Sequence, residues 1–338
     1  MTDPSPAPVV PHGRLLVVHA HPDDETLATG GLLAAWAASG EPVTLVTCTR
    51  GERGEVIGDE LAHLEGDGPR LAAHRETELA AALRALGVQD HAFLDELPPP
   101  ALPPAALAAR YEDSGMAWVG AGGAGLSGRA GAAEVVPPDA LVAGALDEQG
   151  SRLAELVRVL RPSTVVTYEP GGGYGHPDHV RAHQIAMRAL ELASEPSETS
   201  PGHQPADVWW TVVPAGVLRR GRAQLVDAVD AGLVPAGPAT LVDPDGPLPA
   251  VAAGDHAVVA VLDARPVLDR VEGALRAHAT QVHRLVRVRH SASGDDHVLV
   301  GAYALSNDVL VPWLGTEFYA RATGPDAGPS QPVPSVER

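Results

Sequence analysis

The stretch Arg14-Leu15-Leu16-Val17-Val18-His19-Ala20-His21-Pro22-Asp23-Asp24-Glu25 decides how the rest of the chain is read. An aliphatic run that breaks off into polar residues is the pattern of a strand buried on both faces of a parallel sheet. From Glu25 to Ser39 the sequence turns rich in alanine and leucine, and Gly40 supplies a helix stop. Pro42 to Thr49 then makes a second buried strand. Strand, helix and strand in that order predict a βαβ unit with a right-handed crossover.

The alternation continues outward. His74 to Gly87 reads as a helix with Leu79, Leu83 and Leu86 on one face, and Ala92 to Leu94 as a short strand. Leu153 to Leu160 is a helix ended by Pro162, Thr164 to Tyr168 a buried strand, and His179 to Ala193 a helix after a glycine-rich loop. The fold class is therefore α/β: a Rossmann-like, doubly wound, mostly parallel sheet with a smaller C-terminal α/β extension. Pro98–Asp139 and Ser194–Pro205 read as loops or insertions, the second as a seam. Beyond it, Trp209–Val213 and His256–Leu262 resemble strands and Ala264–His278 a helix. The expected organisation is a disordered tail at 1–13, a catalytic α/β domain at 14–200, an extension at 206–323 that completes the sheet and the substrate site, and a disordered tail at 324–338. No internal repeat is visible.

Composition bounds the partners. The formal charge is −19, with 43 acidic against 24 basic residues, which disfavours nucleic acid and anionic membrane surfaces. Small molecules and metal ions are the natural partners; oligomeric state is not encoded in any pattern we read. The lone Cys48 precludes an intrachain disulfide or a thiolate zinc cluster, so any metal must use imidazole and carboxylate ligands. Residues 1–13 are proline-rich without the basic and apolar regions of a signal peptide, and no apolar run reaches the roughly 18 residues of a membrane span. A soluble, cytoplasmic setting follows.

His21-Pro22-Asp23-Asp24 lies at the carboxyl end of the first strand, the edge where open α/β sheets gather ligands. Alone it has a bland reading, a polar helix start capped by Asp24. Tyr174-Gly175-His176-Pro177-Asp178-His179 repeats the chemistry after the strand Thr164–Tyr168, and two such strand-end clusters can converge on one ion. Catalytic zinc takes three protein ligands and keeps one position for water. His21, Asp24 and His179 make such a set and leave Asp23 to act on the water. The i, i+4 spacing of His179 and His183 also allows a chelating pair, and His176 is a further candidate ligand. A surface role fits His183 better, and His63, His91, His203, His290 and His297 have no clustered partners. Gly171-Gly172-Gly173-Tyr174-Gly175 lacks the G-x-G-x-x-G spacing of a dinucleotide site; its glycines instead suit close approach of backbone to a substrate.

With its Ala-His-Pro-Asp-Asp-Glu segment at 20–25 and its His-Pro-Asp-His segment at 176–179, the chain resembles the PIG-L/LmbE family of metal-dependent N-acetylglucosaminyl deacetylases. The resemblance spans Arg14 to about Ala320 and is strongest to the branch that serves mycothiol biosynthesis in actinobacteria. Supporting stretches are Val46–Thr49, Gly54–Asp59, Asp113–Met116, His278–Val282 and Ala304–Asn307. The resemblance implies zinc on His21, Asp24 and His179, with Asp23 as general base and Tyr174 and His176 lining the reacting centre. Ferrous iron suits the same ligands. It also implies a sugar-inositol substrate, the 2-acetamido glucosyl-inositol precursor of mycothiol. Arg75, Asp113 and Met116 fall at positions that would hold it, although Arg75 could equally form a helix-surface ion pair with Glu76 or Glu78. Asp178 would orient His176 through its second ring nitrogen. The stretch Gly120–Ala133 departs from the family pattern. Two other activities fit the same residues: an amidase of mycothiol S-conjugates, and, in a different class, a non-haem iron oxygenase with two histidines and a carboxylate.

Overall fold

In the computed structural model the described residues are 6–98, 110–118, 130–133, 135–253, 257–288 and 298–322. Through the first half the elements are β1 (Ala7–Pro8), β2 (Leu15–His19), α1 (Asp24–Ser39), β3 (Val43–Thr47), α2 (Gly68–Leu86), β4 (Asp90–Phe93), β5 (Met116–Trp118) and β6 (Ala130–Ala132). They continue with α3 (Leu146–Leu160), β7 (Thr164–Tyr168), α4 (Pro177–Ser194), β8 (Asp207–Pro214) and α5 (Ala215–Asp230). The chain then forms β9 (Thr240–Leu241), β10 (Ala252–Ala253), β11 (Val258–Asp263) and α6 (Leu268–Ala277). Last come β12 (His283–Arg287), β13 (Leu299–Ala304), β14 (Val309–Leu314) and β15 (Thr316–Arg321).

The main sheet runs β1-β11-β15-β8-β7-β2-β3-β4, with β10 beside β8. From β8 to β4 every pairing is parallel, and β15 is antiparallel to both its neighbours. All five residues of β2 are buried because both faces are covered. Leu15 and Val17 enter a core with Leu33 and Trp36 of α1, Leu79 of α2 and Leu275 of α6. Leu16 and Val18 point the other way, onto Leu153 and Val157 of α3 and Ile185 of α4. The doubly wound α/β class read from the sequence is thus the observed one.

Chain order explains where a site must lie. From β2 the chain winds one way through β3 to β4, then crosses back to place β7 on the other side of β2. The gap between the carboxyl ends of β2 and β7 is the topological switch point, where helices on opposite faces leave a crevice. The HPDD segment follows β2 and the HPDH segment follows β7.

Several element readings need correction. The helix expected from His74 begins at Gly68: Pro69 sits in its first turn, where no N–H is needed, and Asp67 caps it by accepting from the Arg70 N–H at 3.3 Å. The helix expected from Leu153 begins at Leu146. The reading of 1–13 as a disordered tail misses β1, which pairs with β11, where Val9 N–H donates to Val261 O at 2.8 Å; an open sheet edge captures even a proline-rich strand. Helix α5 and the second sheet, β12-β13-β14-β9, carry a small core of their own around Leu225, Leu299, Ala302 and Leu310. The tail at 324–338, His256, His290, His297 and most of Gly120–Ala133 lie outside the described residues. Among the described residues no helix is long and apolar enough to cross a membrane.

Candidate metal centre

β2 ends at His19, and the chain turns through Ala20, His21 and Pro22 into α1. Asp23 is the N-cap residue but makes no side-chain cap, and its backbone sits at φ 110, ψ −35, a left-handed conformation rare outside glycine. Asp24 is no helix cap either, contrary to its bland reading. Its Oδ2 accepts from the His21 N–H at 2.9 Å and lies 3.3 Å from His21 Nδ1, while its Oδ1 lies 3.2 Å from His179 Nε2. One carboxylate thus bridges imidazoles from the two clusters, though 155 residues separate Asp24 from His179 in sequence.

Nitrogen atoms of His21, His176 and His179 approach within 4.8 Å of one another. Tyr168, at the end of β7, stacks its ring on His179 with centroids 4.4 Å apart, and its hydroxyl accepts from the Ala20 N–H at 2.9 Å. Gly172 stands at φ +68, where a Cβ would come within 2.7 Å of Val180 N, so the glycine loop is there to press against α4 behind His179.

The carboxylate of Asp178 takes a different partner from the one read in the sequence. Its Oδ2 lies 3.1 Å from His21 Nε2 and accepts from the Ser114 N–H at 2.9 Å, and Ser114 Oγ donates to its other oxygen. His176 Nδ1 instead accepts from the Asp178 backbone N–H at 3.1 Å. The reason is geometric: Asp178 is in the first turn of α4, directed at the β2 side, while its amide points back at the N-cap His176.

The surroundings are strongly acidic. Burial alone would keep the His21 ring neutral, yet Asp113, Asp178 and Asp24 raise its pKa well above the usual histidine value. Burial would push Asp24 up, and His179 and His21 hold it well below the carboxylate range. Burial pushes the Asp23 carboxyl up to about 7, against the pull of Arg75. His176 is lowered well below its usual value by burial and by His21 and His179. A donor set of buried imidazoles and carboxylates that holds a proton this firmly fits a divalent cation in its place.

Arg75 is no surface residue: it is 2% exposed, its Nη1 donates to Gly51 O at 3.0 Å, its Nη2 donates to Pro22 O and lies 3.3 Å from Asp23 Oδ2. Asp113 accepts from the Arg53 and Gly115 N–H groups and faces His21 Nε2 at 3.8 Å. His183 is buried rather than surface-bound, its Nδ1 bonded to Tyr168 O at 2.9 Å. His91, half-buried, bonds Thr47 at 3.1 Å, whereas His63 is exposed. His21, Asp23, Asp24, Arg75, Asp113, Met116, Tyr174, His176 and His179 all border one cavity of about 690 Å³, whose farther walls are apolar, among them Val212, Trp313 and Phe318. Sequence reading missed Tyr168, and it quoted Glu25, Ser114 and His278 within matching stretches without giving them a role in this region. A tyrosine closing an otherwise aliphatic strand was the available signal for the first.

Imidazoles and carboxylates converging on a switch point define a hydrolytic metal-type centre on a doubly wound sheet. The PIG-L family, described as GlcNAc-PI de-N-acetylase, matches residues 16–190, and the chain belongs to it. A 1D-myo-inositol 2-acetamido-2-deoxy-alpha-D-glucopyranoside deacetylase from Kineococcus radiotolerans is 43% identical to it over 94% of this chain and 79% of the relative. Proteins of the same name from Streptomyces scabiei and Rhodococcus opacus are 39% and 40% identical, over 94% and 92% of this chain and 87% and 92% of their own lengths.

Proposed function

We propose that this chain is a cytoplasmic, zinc-dependent deacetylase that hydrolyses the acetamide of 1D-myo-inositol 2-acetamido-2-deoxy-alpha-D-glucopyranoside to acetate and the free amine. The observation that carries the reading is the Asp24 carboxylate set between His21 and His179 beside a strained Asp23 that borders the cavity. His21, Asp24 and His179 would hold the ion. When bound, a divalent cation polarises the amide carbonyl and lowers the pKa of a water from 15.7 toward about 7.

Asp23 takes the proton of the attacking water, a task suited to a carboxylate that burial makes more basic than an ordinary one. The new C–O bond forms as the carbonyl becomes an oxyanion. His176 is neutral, and with Nδ1 accepting from the Asp178 amide its proton sits on Nε2, which makes it a hydrogen-bond donor to that oxyanion rather than an acid. The Tyr174 hydroxyl is the second donor in this reading. Protonated Asp23 then returns its proton to the nitrogen as the C–N bond breaks. Arg75 steadies Asp23, and Asp113 and Met116 contact the sugar-inositol.

Amine release from the acetylated sugar-inositol and from a mycothiol S-conjugate, measured in parallel with zinc-loaded and chelated protein, tests the reading. Faster zinc-dependent release from the acetylated sugar is expected. A preference for the conjugate would make the protein an amidase, and oxygen uptake by iron-loaded protein without amine release would make it an oxygenase.

A further inference from the structure

A non-glycine residue at φ 110 is strained and persists only where its surroundings hold it. What holds Asp23 is a carboxylate two residues on: Glu25 Oε2 accepts from the Asp23 N–H at 2.9 Å. Glu25 is itself completely buried, and its other oxygen accepts from His278 Nε2 at 2.7 Å and from Thr26 Oγ1 at 2.5 Å. His278 is also completely buried and stands just past α6, 253 residues from Glu25. The next turn grips a second carboxylate, with Thr280 N–H and Oγ1 donating to Glu78 at 2.8 and 2.6 Å. Glu78 is one helical turn from Arg75, the residue that holds Pro22 O and Asp23 Oδ2. The segment 278–280 therefore holds Glu25 directly and grips the helix that carries Arg75.

Neither Glu25 nor His278 borders the cavity, so neither is placed to touch substrate. A buried ion pair is a poor way to stabilise a core, since apolar side chains of the same volume do as well or better. We infer that Glu25 and His278 are positioning residues: His278 fixes the Glu25 carboxylate, and Glu25 fixes the strained Asp23 backbone so that its carboxyl is aimed at the attacking water. The inference rests on Asp23 as the general base.

Two amide variants test it, because they differ only in reach. In His278→Gln the side-chain nitrogen falls near the Nε2 position and keeps the donor to Glu25; in His278→Asn it falls near Nδ1 and cannot. With the acetylated sugar-inositol as substrate, His278→Gln should stay within about threefold of the parent. His278→Asn should lose kcat by about 10–100-fold, as losses of supporting hydrogen bonds do, with KM and zinc content unchanged. Equal rates in the two variants, a loss that falls on KM or zinc content, or failure of both to fold would each overturn the inference and leave His278 a structural residue. Asp23→Asn, measured alongside, separates the two readings: if it keeps its turnover, the assignment of the base is what fails.

Discussion

Asp23 carries two burdens at once, a left-handed backbone and a part-buried carboxyl. Asp23→Gly and Asp23→Ala both lose the carboxylate that faces Arg75 and should both lose turnover, but only glycine relieves the backbone, so Asp23→Gly should be the more stable of the two by about 1–3 kcal/mol in urea unfolding. Equal stability of the two variants would mean that the backbone is not strained. Metal analysis makes a second cut: Asp23→Ala should keep its zinc, whereas Asp24→Ala should lose it, because among the described residues only the Asp24 carboxylate reaches both His21 and His179. Asp178 acts through His21, so Asp178→Ala should weaken zinc affinity about 10–100-fold, read by competition with a chelating dye, without altering the protonation of His176. At this scale the sequence showed which residue types crowd the two strand ends. It could not show which ring nitrogen a carboxylate serves, because Asp178 could reach His21 or His176 from the same position and the turn of α4 decides. Nor could it single out His278, whose partner is 253 residues away.

Helix α1 is two helices joined at a break. Thr29 sits at φ −141, ψ 17, its hydroxyl turned back to Glu25 O at 2.9 Å and held by His19 Nε2 at 2.9 Å. The amides freed beyond the break, Gly31 and Leu32, donate to Glu317 of β15 at 2.6 and 2.9 Å, so a strand carboxylate caps the second half. A Cβ on Gly31 would lie 2.6 Å from the Ala264 Cβ and 2.8 Å from Glu317 Oε1. Gly31→Ala should therefore destabilise the protein by about 1–3 kcal/mol in chemical unfolding, although alanine is the better helix former by about 1 kcal/mol. Burial raises the Glu317 pKa above its ordinary 4.5. The folded state then binds the extra proton, so stability that is present below pH 4.5 is lost as pH rises through the raised value. Glu317→Gln should remove that decline, seen as a difference in melting temperature from the parent that moves in favour of the variant with rising pH. The strands β2, β3 and β7 were legible as continuous apolar runs because both their faces are covered, and α4 because its buried residues recur at helical spacing. The break in α1 was not, because alanine, leucine and glycine give no sign of a distant cap, and α5 was masked by its arginines.

Across the whole molecule, a divalent cation held by His21, Asp24 and His179 would join the ends of β2 and β7 and would bind the folded chain alone, so under the proposed reading it would add to global stability by mass action. Zinc at 100 times its dissociation constant contributes about 2.7 kcal/mol. Chelation should lower the melting temperature, readdition should restore it, and Asp24→Ala protein should show neither shift. The doubly wound class was legible from strand-helix alternation, while the second sheet was not, since its strands are short and their pairings long-range. The interior place of β15 has one more outcome. It lies between β8 and β11 yet follows both in the chain, so during translation each keeps an open edge until residues 316–321 have left the ribosome. The parallel half from β2 to β8 can condense on the nascent chain, but β11 and the β1 it pairs with cannot be joined to it until β15 arrives. Completion of the sheet is thus held back toward the end of synthesis, and the exposed edges of that interval are where a holding chaperone would be needed.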